Sequence, residues 1–597
     1  MEQASMKIRY INGDRLYNAF VAGGNAVITD QKYLNKINVF PVPDSDTGTN
    51  MASTMHSIIE RAVQNRSLKV TLNSITDAAI NGARGNSGLI FAQFIAGINR
   101  EIRHEVKAST KHFAESVKNA IKHTYSSMVN PVEGTMLTVM KDWAEAVYKN
   151  RTQTNDFDEL FSLSLETAKK SLRETPKKLS VLAKHGVVDA GAKGFVDFLE
   201  GIVHFIKKGK LQNLAKPDVL WEDTGVHTHS DRSEIKERYC TEALLSSPQM
   251  DLEKLRRDIQ KFGSSVIVVG SETKARIHVH TNHPAKLFSK AKDFGSIIDI
   301  KADDMVQQFE VSHRRKSHIA LVTDSACDIP QHILREHQIH MVPLNLHFKD
   351  SVFLDKITIT PDQFYEMLKT QRKIPKSSQP SPKTIKNLLS FLSTHYDSII
   401  AVTISDKLSG VYKQFIQAAK QINGTDIRIL DSKHLSASEG LVVLRTAQEI
   451  KKGNDFKQIT ESAREWIKKT KILVDIHTLK YMVRGGRVSP LKGLLAQMLN
   501  LKPIISLDEQ GKAMAYGKSF SRKSNMKKII HEIKSMSEKN QIWNYAIVHA
   551  QARERAHTYA SKLHSAIGQR PAYIVDISPV VGAHNGIGAV AIAFMFE

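Results

Sequence analysis

Residues 38–51 read NVFPVPDSDTGTNM, and apolar positions at helical spacing follow through 52–63. Pro41 and Pro43 hold the approach extended, so the carboxylates of Asp44 and Asp46, at i and i+2, point the same way. Two convergent carboxylates supply hard oxygen ligands, which suit Mg²⁺ with phosphate oxygens completing its shell. Gly48 lets the backbone approach an anion, Thr47, Thr49 and Asn50 offer donors, and the start of the next helix presents free N–H groups to a phosphate. A bare DxDxG more often belongs to a loop that caps a helix. An EF-hand opened by Asp44 is excluded, because its twelfth position is Met55 and not Glu. No GxxxxGK[ST] occurs, which excludes a P-loop.

Three further turns repeat this chemistry: NGARGNSG at 81–88, EGTMLT at 133–138 and VDAGAKG at 188–194. Each alone is a capped interhelical turn. Apolar positions recur at helical spacing in 72–79, 89–98 and 195–206, so residues 1 to about 205 read as almost entirely helical. Four Gly/Thr/Asp turns in one helical bundle read as one ligand-binding end, with Arg84 and Lys193 as spare cations.

The chain has 597 residues, too many for one core, and three or four units are expected. A polar stretch at 207–237 reads as a linker and 238–311 as a small α+β domain, with 264–270 and 275–280 as paired strands. After the polar HRRKSH at 313–318, short β-rich runs such as IALVTDS, SIIAVTIS and KILVDI alternate with helices. That alternation predicts an α/β domain at 319–597 with a largely parallel sheet. The fold class is therefore multidomain: an all-α domain at 1–206, the α+β domain, then the α/β domain.

Lys+Arg 84 against Asp+Glu 61 gives a formal charge of +23, which favours an anionic partner: nucleotide, nucleic acid, acidic protein or anionic membrane surface. The excess is spread along the chain and no zinc-finger or RNP-type motif is present, so nucleic acid is not the expected partner. Two cysteines, Cys240 and Cys327, cannot form a disulfide framework and point to a reducing cytoplasm. The N-terminal residues lack an apolar signal segment, and the apolar runs near 88–98 and 586–596 are too short to span a bilayer. A soluble cytoplasmic protein, with peripheral membrane contact at most, is the expectation.

NVFPVPDSDTGTNM, NGARGNSG, EGTML and VVDAGAKGF together resemble the nucleotide-binding subunit of dihydroxyacetone kinase, and more closely the N-terminal domain of bacterial fatty acid kinase. The resemblance implies a DhaL-like antiparallel helical barrel that holds ATP through Mg²⁺ bound by aspartates. Asp44 and Asp46 then correspond to catalytic metal ligands. Thr49, Asn50, Ser87, Gly88, Thr135 and Asp189 lie along the nucleotide, and Thr47 and Gly48 join them as cofactor-binding residues. Ser45 stands where the family usually has Gly, and the third metal aspartate of dihydroxyacetone kinases has no counterpart at its offset, Asn38 being the nearest polar residue.

In the middle segment, strand alternation puts His278 and His280 on one face. Two imidazoles at i and i+2 plus the Cys240 thiolate suit Zn²⁺, although strand histidines on an open face are more often solvated or hydrogen-bonded. YCTE followed by K-x-R-x-HVHTN is similar to the middle domain of fatty acid kinase, which implies a zinc site of Cys240, His278 and His280.

In the last domain polar clusters fall where strands end, the place where ligands of open α/β sheets bind. The order VTDS, VPL, SSQPS, LSG, DS, GGR, KP, HNGIG resembles the DegV family of fatty-acid-binding proteins over 319–597. It implies an acyl chain buried between two subdomains, its carboxylate held by Ser377, Ser409 and His584, with Arg487 near by. Ser377 replaces the usual Thr, Val411 a Thr after the Ser-Gly pair, and Asn585 a Thr after the histidine. Together the two resemblances imply a fatty acid kinase with kinase and acyl-binding parts on one chain, making acyl-phosphate. An acyltransferase that accepts it and a second copy of the chain, as a homodimer, are the expected partners, with the acceptor and the oligomeric state left open by the sequence. The alternatives are a lipid carrier whose helical domain senses nucleotide, and a kinase of dihydroxyacetone (glycerone) type.

Overall fold

The computed structural model describes residues 7–40, 46–102, 105–128, 130–208, 235–370, 375–484 and 502–597; Asp44, Arg487 and most of the expected linker lie outside the described residues. The chain divides into two compact units, Met1–Val306 and Gln307–Glu597.

The first unit begins with β1 (Tyr10–Asn12), α1 (Gly13–Thr29), α2 (Gln31–Lys36), α3 (Thr47–Arg61), α4 (Leu68–Gly82) and α5 (Gly85–Glu101). It continues with β2 (Lys107–Ser109), α6 (Thr110–Ser126), α7 (Met136–Asn150), α8 (Phe157–Lys178), α9 (Ser180–His185) and α10 (Ala190–Lys208). Side chains of Asn12, Ser67, Ser109 and Asp156 accept first-turn N–H groups of α1, α4, α6 and α8, which fixes where those helices start. The helices close into a ring, α1 packing on α3 and α10, with α4 to α8 completing the circuit. Their apolar stripes meet inside, where aromatic rings pack edge to face, as in Phe91–Phe198 at 4.9 Å and Trp143–Phe195 at 5.7 Å. These rings surround an apolar cavity of about 210 Å³. The expected helical barrel is present.

Next come β3 (Tyr239–Ser246), α11 (Leu252–Ile259), β4 (Ser264–Gly270), β5 (Lys274–Thr281), α12 (Pro284–Ala291) and β6 (Ser296–Asp304). The strands form an antiparallel sheet in the order β4-β5-β3-β6. Alternation along the strands sends Ala243, Leu245, Ile277 and Val279 to one face and Cys240, Glu242, His278 and His280 to the other. The second face rests on the barrel: Leu244, Ile267 and Val269 join the barrel's apolar core. Beside them Arg276, almost fully buried, donates to the carbonyls of Ile80 (2.9 Å) and Asn81 (2.8 Å).

The second unit contains β7 (Ile319–Asp324), β8 (His340–Val342), β9 (Asn345–Phe348), β10 (Ser351–Leu354), β11 (Lys376–Ser378), β12 (Ser398–Thr403) and β13 (Asp426–Asp431). β13-β12-β7-β8 is a parallel sheet, and β10-β9-β11 a small antiparallel one. Then β14 (Thr470–Asp475), β15 (Lys502–Leu507), β16 (Ala513–Ser519), β17 (Ile542–His549), β18 (Ile574–Asp576) and β19 (Val590–Phe596) form a sheet ordered β16-β15-β14-β19-β17-β18. In it β17 and β18 pair in parallel and the other neighbours antiparallel. The expectation of one largely parallel sheet is thus corrected. A strand buried on both faces, such as β19, reads as an unbroken apolar run in either direction, so pairing sense is not written in its composition.

Candidate functional site

Asp46 occupies the N-cap position of α3, yet its side chain makes no capping hydrogen bond, so the helix does not consume this carboxylate. Thr49 is fixed from α2: its hydroxyl accepts from Asn35 Nδ2 (2.9 Å) and Gln31 Nε2 (3.2 Å), and its N–H donates to Asn35 Oδ1 (3.0 Å). The same packing requires Gly48, where a Cβ would lie 2.2 Å from the Gln31 carbonyl oxygen. Thr47 and Asn50 are buried beside it.

Gly85 opens α5 at φ +56°, and a Cβ there would fall 2.1 Å from Asn50 Nδ2, so the NGARG turn touches the first turn of α3. Gly88 lies over Thr54 and the Asn50 carbonyl. Ser87 Oγ and Asp189 Oδ1 flank Gly191, 3.1 and 3.4 Å from the position of a Cβ. Asp189 accepts from Ala192 N–H at 2.8 Å and donates its own N–H to Thr175 Oγ1 at 3.1 Å. Burial raises its carboxyl to about 6, against the lowering effect of N–H groups from Ala192, Met136 and Gly191. The Met136 bond ties Asp189 to the start of α7, beside Thr135, whose hydroxyl donates to the Val132 carbonyl at 2.7 Å. The four turns therefore gather at one end of the barrel. Asn86 Oδ1 is buried there with no hydrogen-bond partner among the described residues. The open Asp46 carboxylate, the hydroxyls and this orphaned acceptor fit a magnesium nucleotide.

Neither expected spare cation is free. Arg84 bridges Glu242 (3.4 Å) and Asp299 (2.9 Å), and Lys193 pairs with Asp30 (3.0 Å) and Asp197. Glu242, which the sequence reading passed over, is the hub of this region. Fully buried, it accepts from Gly85 N–H at 2.6 Å and lies 3.5 Å from His278 Nδ1 and 3.9 Å from Arg276. Burial alone would raise its pKa, but His278, Lys301 and Arg84 hold the carboxyl well below the usual range. Alternation in β3 carried the signal, because Cys240 and Glu242 share a face.

Cys240, His278 and His280 offer one ligand atom each, all within 4.8 Å of one another, with Cys240 Sγ 3.9 Å from His278 Nδ1. Burial and the neighbouring His278 push His280 down to about 3, so its imidazole is neutral, the form that binds metal. Burial pushes the Cys240 thiol up, and His278 Nε2 is buried without a partner among the described residues. One sulfur and two imidazole nitrogens fit Zn²⁺ with a coordination position left open.

In the second unit, Ser377 on β11 and His584 in the short helix Pro579–Asn585 meet at 3.2 Å between Oγ and Nε2. Ser409 precedes Gly410, where a Cβ would lie 2.5 Å from Gln379 Oε1, so the LSG and SSQPS loops are in contact. The structure thus brings Ser377 and His584 together, with the Ser409 loop against the Ser377 loop. Two other strand-end acids serve the backbone. Asp324 accepts from Ala326 N–H (2.9 Å) and Ile404 N–H (2.8 Å), and Asp431 from Lys433 N–H (2.9 Å) and Asp406 N–H (3.2 Å).

Three family models match in order along the chain: the DAK2 domain over 41–204, the middle domain of fatty acid kinase-like proteins over 236–312, and the DegV family over 318–597. The chain has the domain architecture of a fatty acid kinase joined to a DegV domain. It is 33% identical over 323 residues to an uncharacterised protein of Staphylococcus aureus (strain bovine RF122), a match covering 52% of this chain and 59% of that protein. A counterpart in strain USA300 is 32% identical over the same length, and the chain spans about 59% of these curated relatives. Among solved structures, DegV of Bacillus subtilis, described as a fatty acid binding protein, is 27% identical with a TM-score of 0.45, covering 47% of this chain and 100% of its own. A fatty acid binding DegV family protein of Streptococcus agalactiae is 25% identical with a TM-score of 0.44, covering 47% and 99%. Among the described residues no helix is long and apolar enough to cross a membrane.

Proposed function

We propose that this chain transfers the γ-phosphoryl group of ATP to the carboxylate of a fatty acid held by its own DegV domain, giving acyl-phosphate and ADP. The observation that carries this reading is the succession of the DAK2, fatty acid kinase-like middle and DegV matches on one polypeptide. A fatty acid, with a pKa of about 4 to 5 like other carboxyl groups, is already ionised at neutral pH, so no general base is needed to make the nucleophile. A carboxylate oxygen bonds to the γ-phosphorus as the bond from that phosphorus to the β-bridging oxygen breaks. The barrier is the approach of an anion to a polyanion, and such transfers depend on positioning and charge stabilisation.

Mg²⁺, when bound, neutralises phosphate charge; Asp46, with Asp44, is assigned to hold it. Asn50, Ser87, Gly88, Thr135 and Asp189 are assigned to the nucleotide, and Ser377, Ser409, Arg487 and His584 to the acyl carboxylate. An acyl chain buried among apolar side chains keeps water from the mixed anhydride. Covalent linkage of the two parts raises the effective concentration of acceptor to about millimolar when the chain joining them lets the two sites meet. Incubating the full chain with magnesium ATP and oleate, then trapping with hydroxylamine, tests the proposal: oleoyl hydroxamate is expected from wild type and not from Asp46→Asn. Phosphorylation of dihydroxyacetone with no hydroxamate from oleate would reject it.

A further inference from the structure

The barrel's own candidate cations are committed to carboxylates, Arg84 to Glu242 and Asp299 and Lys193 to Asp30 and Asp197. The neighbouring sheet brings another to the same end. Along β6, Lys301 pairs in register with Glu242 of β3, and Asp303 with Cys240. Glu242 in turn faces His278 and Cys240 faces His280 on β5, so all these side chains share the sheet face that rests on the barrel. Glu242 reaches the backbone N–H of Gly85 at 2.6 Å, which puts the Lys301 rung beside the NGARG turn and, through Gly85 and Asn50, beside the first turn of α3. Lys301 Nζ pairs with Asp303 at 2.6 Å, and 38% of its side-chain surface stays exposed. Burial opposes its charge, but Asp303, Glu242, Cys240 and Asp46 together raise its pKa well above the usual lysine value.

We infer that Lys301 is a catalytic cation donated by the middle domain, its ammonium contacting the γ-phosphate of a nucleotide bound at the barrel end. This rests on the ATP reading above and adds to it a residue outside the DAK2 segment. A positive partner beside the metal ions stabilises the charge spread over the transferring group, and a lysine is a compact point charge with three donors that can leave Asp303 for a phosphate oxygen. It also gives the middle sheet a chemical reason to sit on the barrel.

The test compares the full chain with Lys301→Met and Lys301→Arg, measuring affinity for magnesium ADP and for a magnesium complex of a non-hydrolysable ATP analogue. Lys301→Met is expected to weaken the triphosphate at least about tenfold while ADP binding stays within about threefold, and Lys301→Arg to recover most of the loss. The kcat of Lys301→Met for acyl-phosphate is expected to fall about 100-fold or more with the KM for fatty acid little changed. Lys301→Gln serves the same comparison if the Met variant does not fold. Equal triphosphate affinity in wild type and both neutral variants overturns the assignment of Lys301 while leaving the ATP reading intact. A wild-type chain that binds neither nucleotide overturns both. Selective loss of triphosphate affinity in a chain that makes no acyl-phosphate upholds Lys301 and rejects only the fatty acid as acceptor.

Discussion

Replacing Glu242 by Ala tests the physical link between the middle sheet and the barrel. The carboxylate has no solvent exposure, Arg276 has 1%, and the two lie 3.9 Å apart, with Arg84 at 3.4 Å. At an effective dielectric of about 20, each contact is worth about 4–5 kcal/mol of gross attraction, most of it offset by the cost of removing the charges from water. What the substitution exposes is the other side of that balance. Arg276 stays buried with Asp299 as its remaining acidic partner at 3.1 Å, and Gly85 N–H loses its acceptor. Breaking a buried pair in this way costs about 3–5 kcal/mol. For a unit of this size, with an unfolding entropy of about 2.1 cal/mol/K per residue, that is a fall of about 5–8 °C in the midpoint of the unfolding transition of Met1–Val306, read by scanning calorimetry of the full chain. The transition of Gln307–Glu597 is expected not to move. Glu242→Gln, which can still accept from Gly85, is expected to fall between Ala and wild type. A Glu242→Ala midpoint within 1 °C (about the error of the measurement) would mean that the buried network contributes nothing to holding the sheet on the barrel.

Asp189 gives a pH-dependent signature. Its folded-state pKa, raised to about 6, lies above that of the unfolded chain, so its ionisation destabilises the fold progressively as pH rises through that interval, by about 3 kcal/mol at neutrality. Asp189→Asn, whose amide oxygen still accepts from Ala192, is expected to unfold at higher temperature than wild type at pH 7.5 and at about the same temperature at pH 4; no gain at pH 7.5 contradicts this. Elemental analysis of the chain as purified is expected to find one zinc per polypeptide, lost in His280→Ala and in Cys240→Ala, and zinc retained in both variants removes these ligands from the assignment. Ser377→Ala and His584→Ala are each expected to weaken retention of a co-purified or added long-chain fatty acid about tenfold, measured by native mass spectrometry, with the fold unchanged by circular dichroism. Unaltered retention in the double variant would place the carboxylate elsewhere.

The barrel and its four turns were legible because glycine and threonine clusters punctuate helices whose apolar spacing is strong. Their convergence was legible too, although not the reason for each residue: Gly48 and Gly85 answer to the close approach of Gln31 and Asn50, which no local pattern reveals. The hairpin at β4–β5 and the shared face of His278 and His280 followed from alternation alone. The roles of Arg84 and Lys193 did not, because whether a cation is spare depends on carboxylates such as Glu242 and Asp299 that lie more than a hundred residues away in the chain for Arg84 and Asp30 for Lys193. Glu242 and Lys301 were overlooked for the same reason: each is unremarkable in its own segment and acquires meaning only through strand register. In the last domain the motif order located the meeting of Ser377 with His584, whereas the antiparallel second sheet depended on pairings that apolar runs do not encode.

The most direct measurement is phosphorus NMR of the unmodified full chain turning over magnesium ATP in the presence of oleate. Phosphoryl transfer to a carboxylate predicts a mixed-anhydride resonance growing in step with ADP, absent when oleate is omitted and absent with Asp46→Asn. ADP appearing only with inorganic phosphate, at a rate indifferent to oleate, would contradict it.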